Sequence, residues 1–294
     1  MCIRDRFYSS TDYSRSYARI RKWRSEKNMK WALISDDMNK DNFLALRPNS
    51  YVFKKNDDLM NLADCDAIYI DCHPTLHYKY ALMAMDIGKA VCVASPLALN
   101  EWEVQALVLK AKEKKIFLME NIASRFSPSY QIIKKMMKNK QMGPLQEINF
   151  SFCLSQANKQ DDVLVQYGSY ACHLLVDLFG INMPIQEIKF KYSDNIATSV
   201  IAHYQKERTR FNLELSIDEN KPLKSYLICA KGHIEVPSFH DNLELSLLAF
   251  EETYKKGLLE HPHMKLEDSL FIAHEIDRLH DALTADPDDS VYRM

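Results

Sequence analysis

The chain has 294 residues, 47% of them apolar and 27% charged, with a formal net charge of −2. That length suits one large domain or two ordinary ones with a substantial core, and the balanced charge argues against a nucleic-acid or anionic-membrane binder. No apolar run approaches the ~18 residues of a membrane helix. The charged start MCIRDRFYSS has no signal-peptide stretch, and seven scattered cysteines without a CxxC pair suggest neither disulfides nor a metal site, so reduced thiols in a cytoplasm are expected.

In chain order, TDYSRSYARIRKWRSEKN (11–28) reads as a helix that Thr11 or Asp12 can cap, and its surplus of basic residues reads as a solvated face. MKWALIS (29–35) is an apolar strand ending at Asp36, and DAIYI (66–70), AVCV (90–93) and IFLME (116–120) are three more. Between them, HYKYALMAMDIGK (77–89) has helical spacing and Gly88 as its stop, and NEWEVQALVLKAKEKK (100–115) is a helix capped by Asn100. Short apolar strands alternating with helices predict parallel βαβ units covered on both faces.

The pattern changes after Glu120. A helix over 127–141 and a strand over 145–154 lead to a helix over 163–179. Strand-like runs follow near 186–193, 198–205, 209–217, 224–230 and 232–236, and consecutive strands predict an antiparallel sheet. A helix over 267–285 closes the fold, with a frayed tail behind it.

Residues 66–128 carry a set of motifs at fixed spacing: Asp66, Ala67, Tyr69, Ile70, His77, Gly88, Lys89, Pro96, Leu97, Ala98, Met119, Glu120, Arg125, Phe126 and Pro128. The set resembles the glucose–fructose oxidoreductase / inositol dehydrogenase / MocA family, in particular its dihydrodiol and sugar dehydrogenase branch. The resemblance implies an α/β fold: a Rossmann-like parallel sheet over 1–120, an α+β domain with an open, mostly antiparallel sheet over 121–284, and a tail over 285–294. It also implies NAD(P), a carbohydrate-like or cyclic alcohol substrate, hydride transfer, and a homodimer. Asp71, His73, His77 and Pro96 fall on the cofactor side, and Tyr170 falls where the family places its proton donor.

The sequence departs from this pattern in three places. Ser9, Thr11 and Ser14 stand where a Rossmann loop carries glycines, whose lack of a side chain lets backbone amides approach the pyrophosphate. The first strand would be CIRDRFYSS, whose adjacent charges suit a buried strand poorly, so these residues read either as a distorted strand or as not the native start. Ser95 replaces the family's lysine, and a serine can orient a hydroxyl but brings no positive charge.

Asp36, at a strand end, can accept from a ribose 2′-hydroxyl and would repel a 2′-phosphate, which favours NAD over NADP; an exposed turn carboxylate is the plain alternative. Tyr170 reads either as a proton donor or as a core aromatic. His173, one turn on, reads either as its proton-sharing partner, oriented by Asp177, or as a surface histidine. No metal site is expected, since His73 and His77 lack a third ligand. Two functions stay open: an oxidoreductase with a degenerate site, and a non-catalytic descendant that binds a small molecule or a protein and no cofactor.

Overall fold

The computed structural model describes residues 29–35, 40–53, 64–153, 161–180, 183–194, 196–217, 225–236 and 243–284. The expected first strand, first helix and C-terminal tail lie outside the described residues. By Cα proximity the rest forms two compact units. One comprises 29–127 with 243–273, the other 128–236 with 274–284.

The first unit is built on five parallel strands: β1 (Trp31–Ser35), β2 (Tyr51–Phe53), β3 (Ala67–Asp71), β4 (Ala90–Ala94) and β5 (Leu118–Asn121), in the order β2-β1-β3-β4-β5. The expected apolar strands are present. β1, β3 and β4 share one profile, four buried residues followed by one partly exposed residue. Helices cover both faces of a parallel sheet, so only the strand ends reach solvent. β1 pairs directly with β3, from Trp31↔Ala67 to Ser35↔Asp71, which levels their carboxyl ends.

Three helices accompany these strands: α1 (Lys40–Leu46), α2 (His77–Asp86) and α3 (Glu101–Lys114). Asn100 caps α3 as expected. Its side chain accepts from the Glu103 N–H at 2.9 Å, and Glu103 accepts from the Leu99 N–H at 3.0 Å. Gly88, just past α2, has φ +74, a conformation that costs glycine least.

A single boundary near residue 120 does not describe this unit, because 243–273 return to it. Helix α6 (Leu243–Lys255) packs Phe250 against Trp31 at 5.0 Å and Phe117 at 4.5 Å between ring centroids. Its Glu251 is buried and accepts from Trp31 Nε1 at 2.9 Å and from Arg47 Nε at 3.1 Å. The Leu118 N–H also donates to Leu259 O. Aromatic packing and a buried ion pair thus draw a late segment back to the first sheet.

The second unit holds six strands: β6 (Leu145–Cys153), β7 (Ile185–Ser193), β8 (Ile196–Lys206), β9 (Thr209–Ser216), β10 (Tyr226–Cys229) and β11 (Gly232–Glu235), in the order β11-β10-β6-β9-β8-β7. The sheet is open and mostly antiparallel. One pair departs from that rule, since β6 and β9 run parallel from Glu147↔Arg210 to Cys153↔Ser216. A hairpin, β7 and β8, separates them in sequence, and helix α5 (Val163–Phe179) makes the crossover that a parallel pair requires.

Asp162 caps α5 by accepting the Leu164 N–H at 2.7 Å. Helix α4 (Pro128–Lys138) precedes β6, and the closing helix α7 (Leu266–Thr284) begins in the first unit and ends in the second. Gly168 on α5 gives α7 room: a Cβ there would stand 3.2 Å from Ile276 Cγ1. Among the described residues no helix is long and apolar enough to cross a membrane.

Candidate active site

The carboxyl edge of the parallel sheet carries the first group of candidates. β4 exits at Ala94 into Ser95 and Pro96, joined by a cis peptide bond. Parallel pairing sets Val93 beside Glu120 and Ala94 beside Asn121. That register brings a carboxylate to the strand exit, and Ser95 Oγ donates to Glu120 Oε1 at 2.7 Å. Ser95 is partly exposed, whereas Glu120 is only 1% exposed.

Burial pushes the Glu120 carboxyl above its ordinary pKa. The hydrogen bond from Ser95, the nearby Ser269 hydroxyl, the Arg125 charge and the Leu97 N–H pull the other way without cancelling it. Arg125, itself fully buried, donates through Nη1 to Asp268 Oδ2 at 2.6 Å and to His263 O at 3.3 Å. It forms an ion pair with Asp268, and its charge also acts on Glu120.

The loop after β3 is tied to the turn after β4. His77 is buried, with Nδ1 2.6 Å from Pro96 O and Nε2 2.8 Å from Cys72 O. It therefore holds the two turns together. His73 caps a short 3-10 turn (Pro74–Leu76), with Nδ1 2.8 Å from Thr75 Oγ1. Asp71 ends β3, partly exposed and level with Ser35. Among the described residues no three His, Cys, Asp or Glu side chains form a metal-holding group.

The second unit carries the other two candidates on α5. Tyr170 is partly exposed, and its ring stacks on Phe152 at 6.1 Å with 6° between planes. His173 is fully buried and meets the Tyr130 ring edge-on at 5.6 Å. It is not a surface histidine, because its face of α5 is the one packed against α4. Asp177 accepts from Tyr130 Oη and Lys134 Nζ, each at 2.7 Å. The one-turn spacing of Tyr170 and His173 thus puts one ring at the surface and the other in the core.

Ser9, Thr11, Ser14 and Asp36 lie outside the described residues. Glu120 was legible only as one position of a motif; nothing local in the sequence marks it as the partner of Ser95. A cavity of about 540 Å³ lined by Lys30, Trp31, Arg47, Tyr51, Asp64 and Cys65 opens at the amino ends of the strands, opposite Ser95.

A dinucleotide on a parallel sheet sits at the carboxyl ends, where side chains must be polar and reachable. Ser35 and Asp71 meet that need, and Cys72, His73 and Ser95 continue the reachable rim. Asn121, which ends β5, donates through Nδ2 to Tyr69 Oη at 3.2 Å, while its buried Oδ1 has no hydrogen-bond partner. Such an acceptor complements an amide or hydroxyl donor. The described residues at this edge fit a dinucleotide.

A parallel sheet with its polar groups gathered at the carboxyl edge, followed by an open mixed sheet, defines a two-part α/β architecture with a Rossmann-like first unit. Residues 14–122 match the family described as "Oxidoreductase family, NAD-binding Rossmann fold". Over those residues the chain is similar to this glucose–fructose oxidoreductase / inositol dehydrogenase / MocA family.

It is 26% identical over 221 residues to the trans-1,2-dihydrobenzene-1,2-diol dehydrogenase of Xenopus laevis, covering 71% of this chain and 67% of that protein. It is 32% identical over 158 residues to the scyllo-inositol 2-dehydrogenase (NADP(+)) of Bacillus subtilis, covering 47% and 48%. Among solved structures it resembles a 3-ketoreductase from Actinomadura kijaniata, solved with NADP and TDP-benzene. The TM-score is 0.72 at 16% identity, over 90% of this chain and 98% of that one, a likeness of fold.

Proposed function

We propose that the protein is a nicotinamide-dependent oxidoreductase acting on a secondary alcohol of a sugar, polyol or related cyclic diol, at a site altered from its family's pattern. The observation that carries this reading is the reachable polar rim at the carboxyl ends of β1, β3 and β4, within a segment that matches an NAD-binding Rossmann family. Bound, the nicotinamide supplies the hydride acceptor or donor. Asp71, His73 and Ser95 are the rim groups available to orient ligand, with His77 and Pro96 fixing the turns that carry them. Tyr170 is the candidate proton donor of the second unit, its ring stacked on Phe152. Asp36 favours NAD. A cytoplasmic homodimer completes the reading.

One observation favours a second reading, a non-catalytic descendant: Ser95 provides no cation where the family uses lysine. A single titration separates the two. NADH or NADPH binding is followed by nucleotide fluorescence, and turnover is followed on a panel of polyols, aldoses and cyclic diols. Binding below millimolar with turnover that Tyr170→Phe reduces supports the oxidoreductase. Binding that appears only after Ser95→Lys combined with Ser9→Gly, Thr11→Gly and Ser14→Gly supports the non-catalytic descendant.

A further inference from the structure

We propose that Ser95 and Glu120 form a two-member proton relay, with Ser95 Oγ meeting the substrate hydroxyl and Glu120 taking the proton behind it. This rests on the oxidoreductase reading above. Four features of the first unit support it. Ser95 is reachable while Glu120 is sealed, so a proton bound for the carboxylate passes through the serine. The 2.7 Å bond has the hydroxyl donating to Glu120 Oε1, the direction in which a serine must point to hand its proton inward. The register Val93↔Glu120 holds the carboxylate on a strand, and rigid elements position such groups well. Arg125 donates to Asp268 Oδ2 and His263 O, and its charge also acts on Glu120, which favours the carboxylate that accepts from Ser95.

The groups facing Glu120 are Ser95 on the β4 turn, Ser269 on α7, Arg125 on the turn after β5 and the Leu97 N–H. Their summed pull does not offset burial, so the carboxyl holds a proton more readily than an ordinary glutamate. A base of that kind lies closer to neutral pH, where general bases work best.

In the oxidative direction the substrate carbon gives its hydrogen with both electrons to an oxidised nicotinamide. The hydroxyl proton goes to Ser95 Oγ as the serine's own proton goes to Glu120 Oε1. The products are a ketone, a reduced nicotinamide and a protonated Glu120, which then releases its proton to solvent through Ser95. Reduction runs the same path backwards. Ser95 is thus a catalytic residue, and Glu120 acts through it.

The test uses the full chain with four variants: Ser95→Ala, Ser95→Thr, Glu120→Gln and Glu120→Asp. Nicotinamide affinity is expected to stay within about 2-fold in Glu120→Gln and Glu120→Asp. Alanine and glutamine should each lower kcat on the order of 10²–10⁴-fold, the usual worth of a general acid–base group, while threonine, which keeps the hydroxyl, restores much of it. The ascending acidic limb of the oxidation pH profile should vanish in Glu120→Gln and shift in Glu120→Asp.

An arm independent of turnover follows the protonated-carboxyl infrared band that disappears in Glu120→Gln. Its midpoint should rise in Ser95→Ala, since a donor to the charged form is lost. Wild-type kcat and pH profile in Ser95→Ala or Glu120→Gln would overturn the relay, as would a Glu120 midpoint that Ser95→Ala leaves in place. A wild-type protein that binds neither NAD(H) nor NADP(H) instead overturns the oxidoreductase reading beneath it.

Discussion

In the parallel sheet, β1, β3 and β4 are each buried for four residues and reachable at the fifth. In the mixed sheet, β6, β7 and β9 alternate buried and reachable residues along much of their length. The first profile follows from helices on both faces, the second from one face left to solvent. The consequence concerns where polar chemistry can stand. Across the mixed sheet it is spread over an outer face, where Asn212 Nδ2 donates to Asn149 Oδ1 at 2.9 Å and Ser151 Oγ to Glu214 Oε2 at 3.1 Å. In the parallel unit polar groups gather at one rim or are buried and must be paired, as Glu251 is with Arg47 and Trp31.

The largest break in this comparison is Glu251→Ala. Removing one partner of a buried ion pair leaves the Arg47 charge uncompensated and costs about 3–5 kcal/mol. Denaturant unfolding of the full chain is expected to show that loss. A loss under about 1 kcal/mol, the range of exposed pairs, would mean that the parallel unit does not depend on pairing its buried charges.

A change of pH gives the next effect. His261, in the returning segment, is pushed down to about 4 by burial, with the His263 and Lys256 charges adding to it. The geometry agrees, since its Nδ1 accepts the His263 N–H at 3.0 Å and so carries no proton. The folded state therefore binds fewer protons than the unfolded chain, whose histidine titrates near 6.5. The contribution of His261 is complete above that pH and is lost as pH falls toward 4, on the order of 3 kcal/mol. Unfolding free energies between pH 4 and 7 should lose that part of their slope in His261→Gln, and an unchanged slope would contradict the assignment.

The smallest effect sharpens the other side. Asn212→Ala on the outer face should cost about 0.5–1 kcal/mol, because its partners regain water. Losing as much there as at Glu251 would erase the distinction between the two sheets.

Much of this protein was legible in its sequence, for reasons that differ by residue. Val91, Cys92 and Val93 read as strand because a parallel strand is apolar on both faces. Asn100 read as a cap because its side chain satisfies an amide three residues on. β2 and α1 carry no comparable signal, since three and seven residues are too few to display a period. Tyr170 and His173 share a helix and a spacing, yet one is reachable and the other sealed, which depends on where α4 packs.

By itself, then, the sequence determined the alternation of strands and helices, the family resemblance and the serine in place of that family's lysine at 95, because local periodicity and motifs are written in neighbouring residues. Only the tertiary structure decided the parallel pairing of β6 with β9, the return of α6 to Trp31 and Arg47, and the bond from Ser95 to Glu120. Those contacts join residues 25 to 220 positions apart. No local pattern encodes them, because strand register and core packing are settled only when the whole chain is folded.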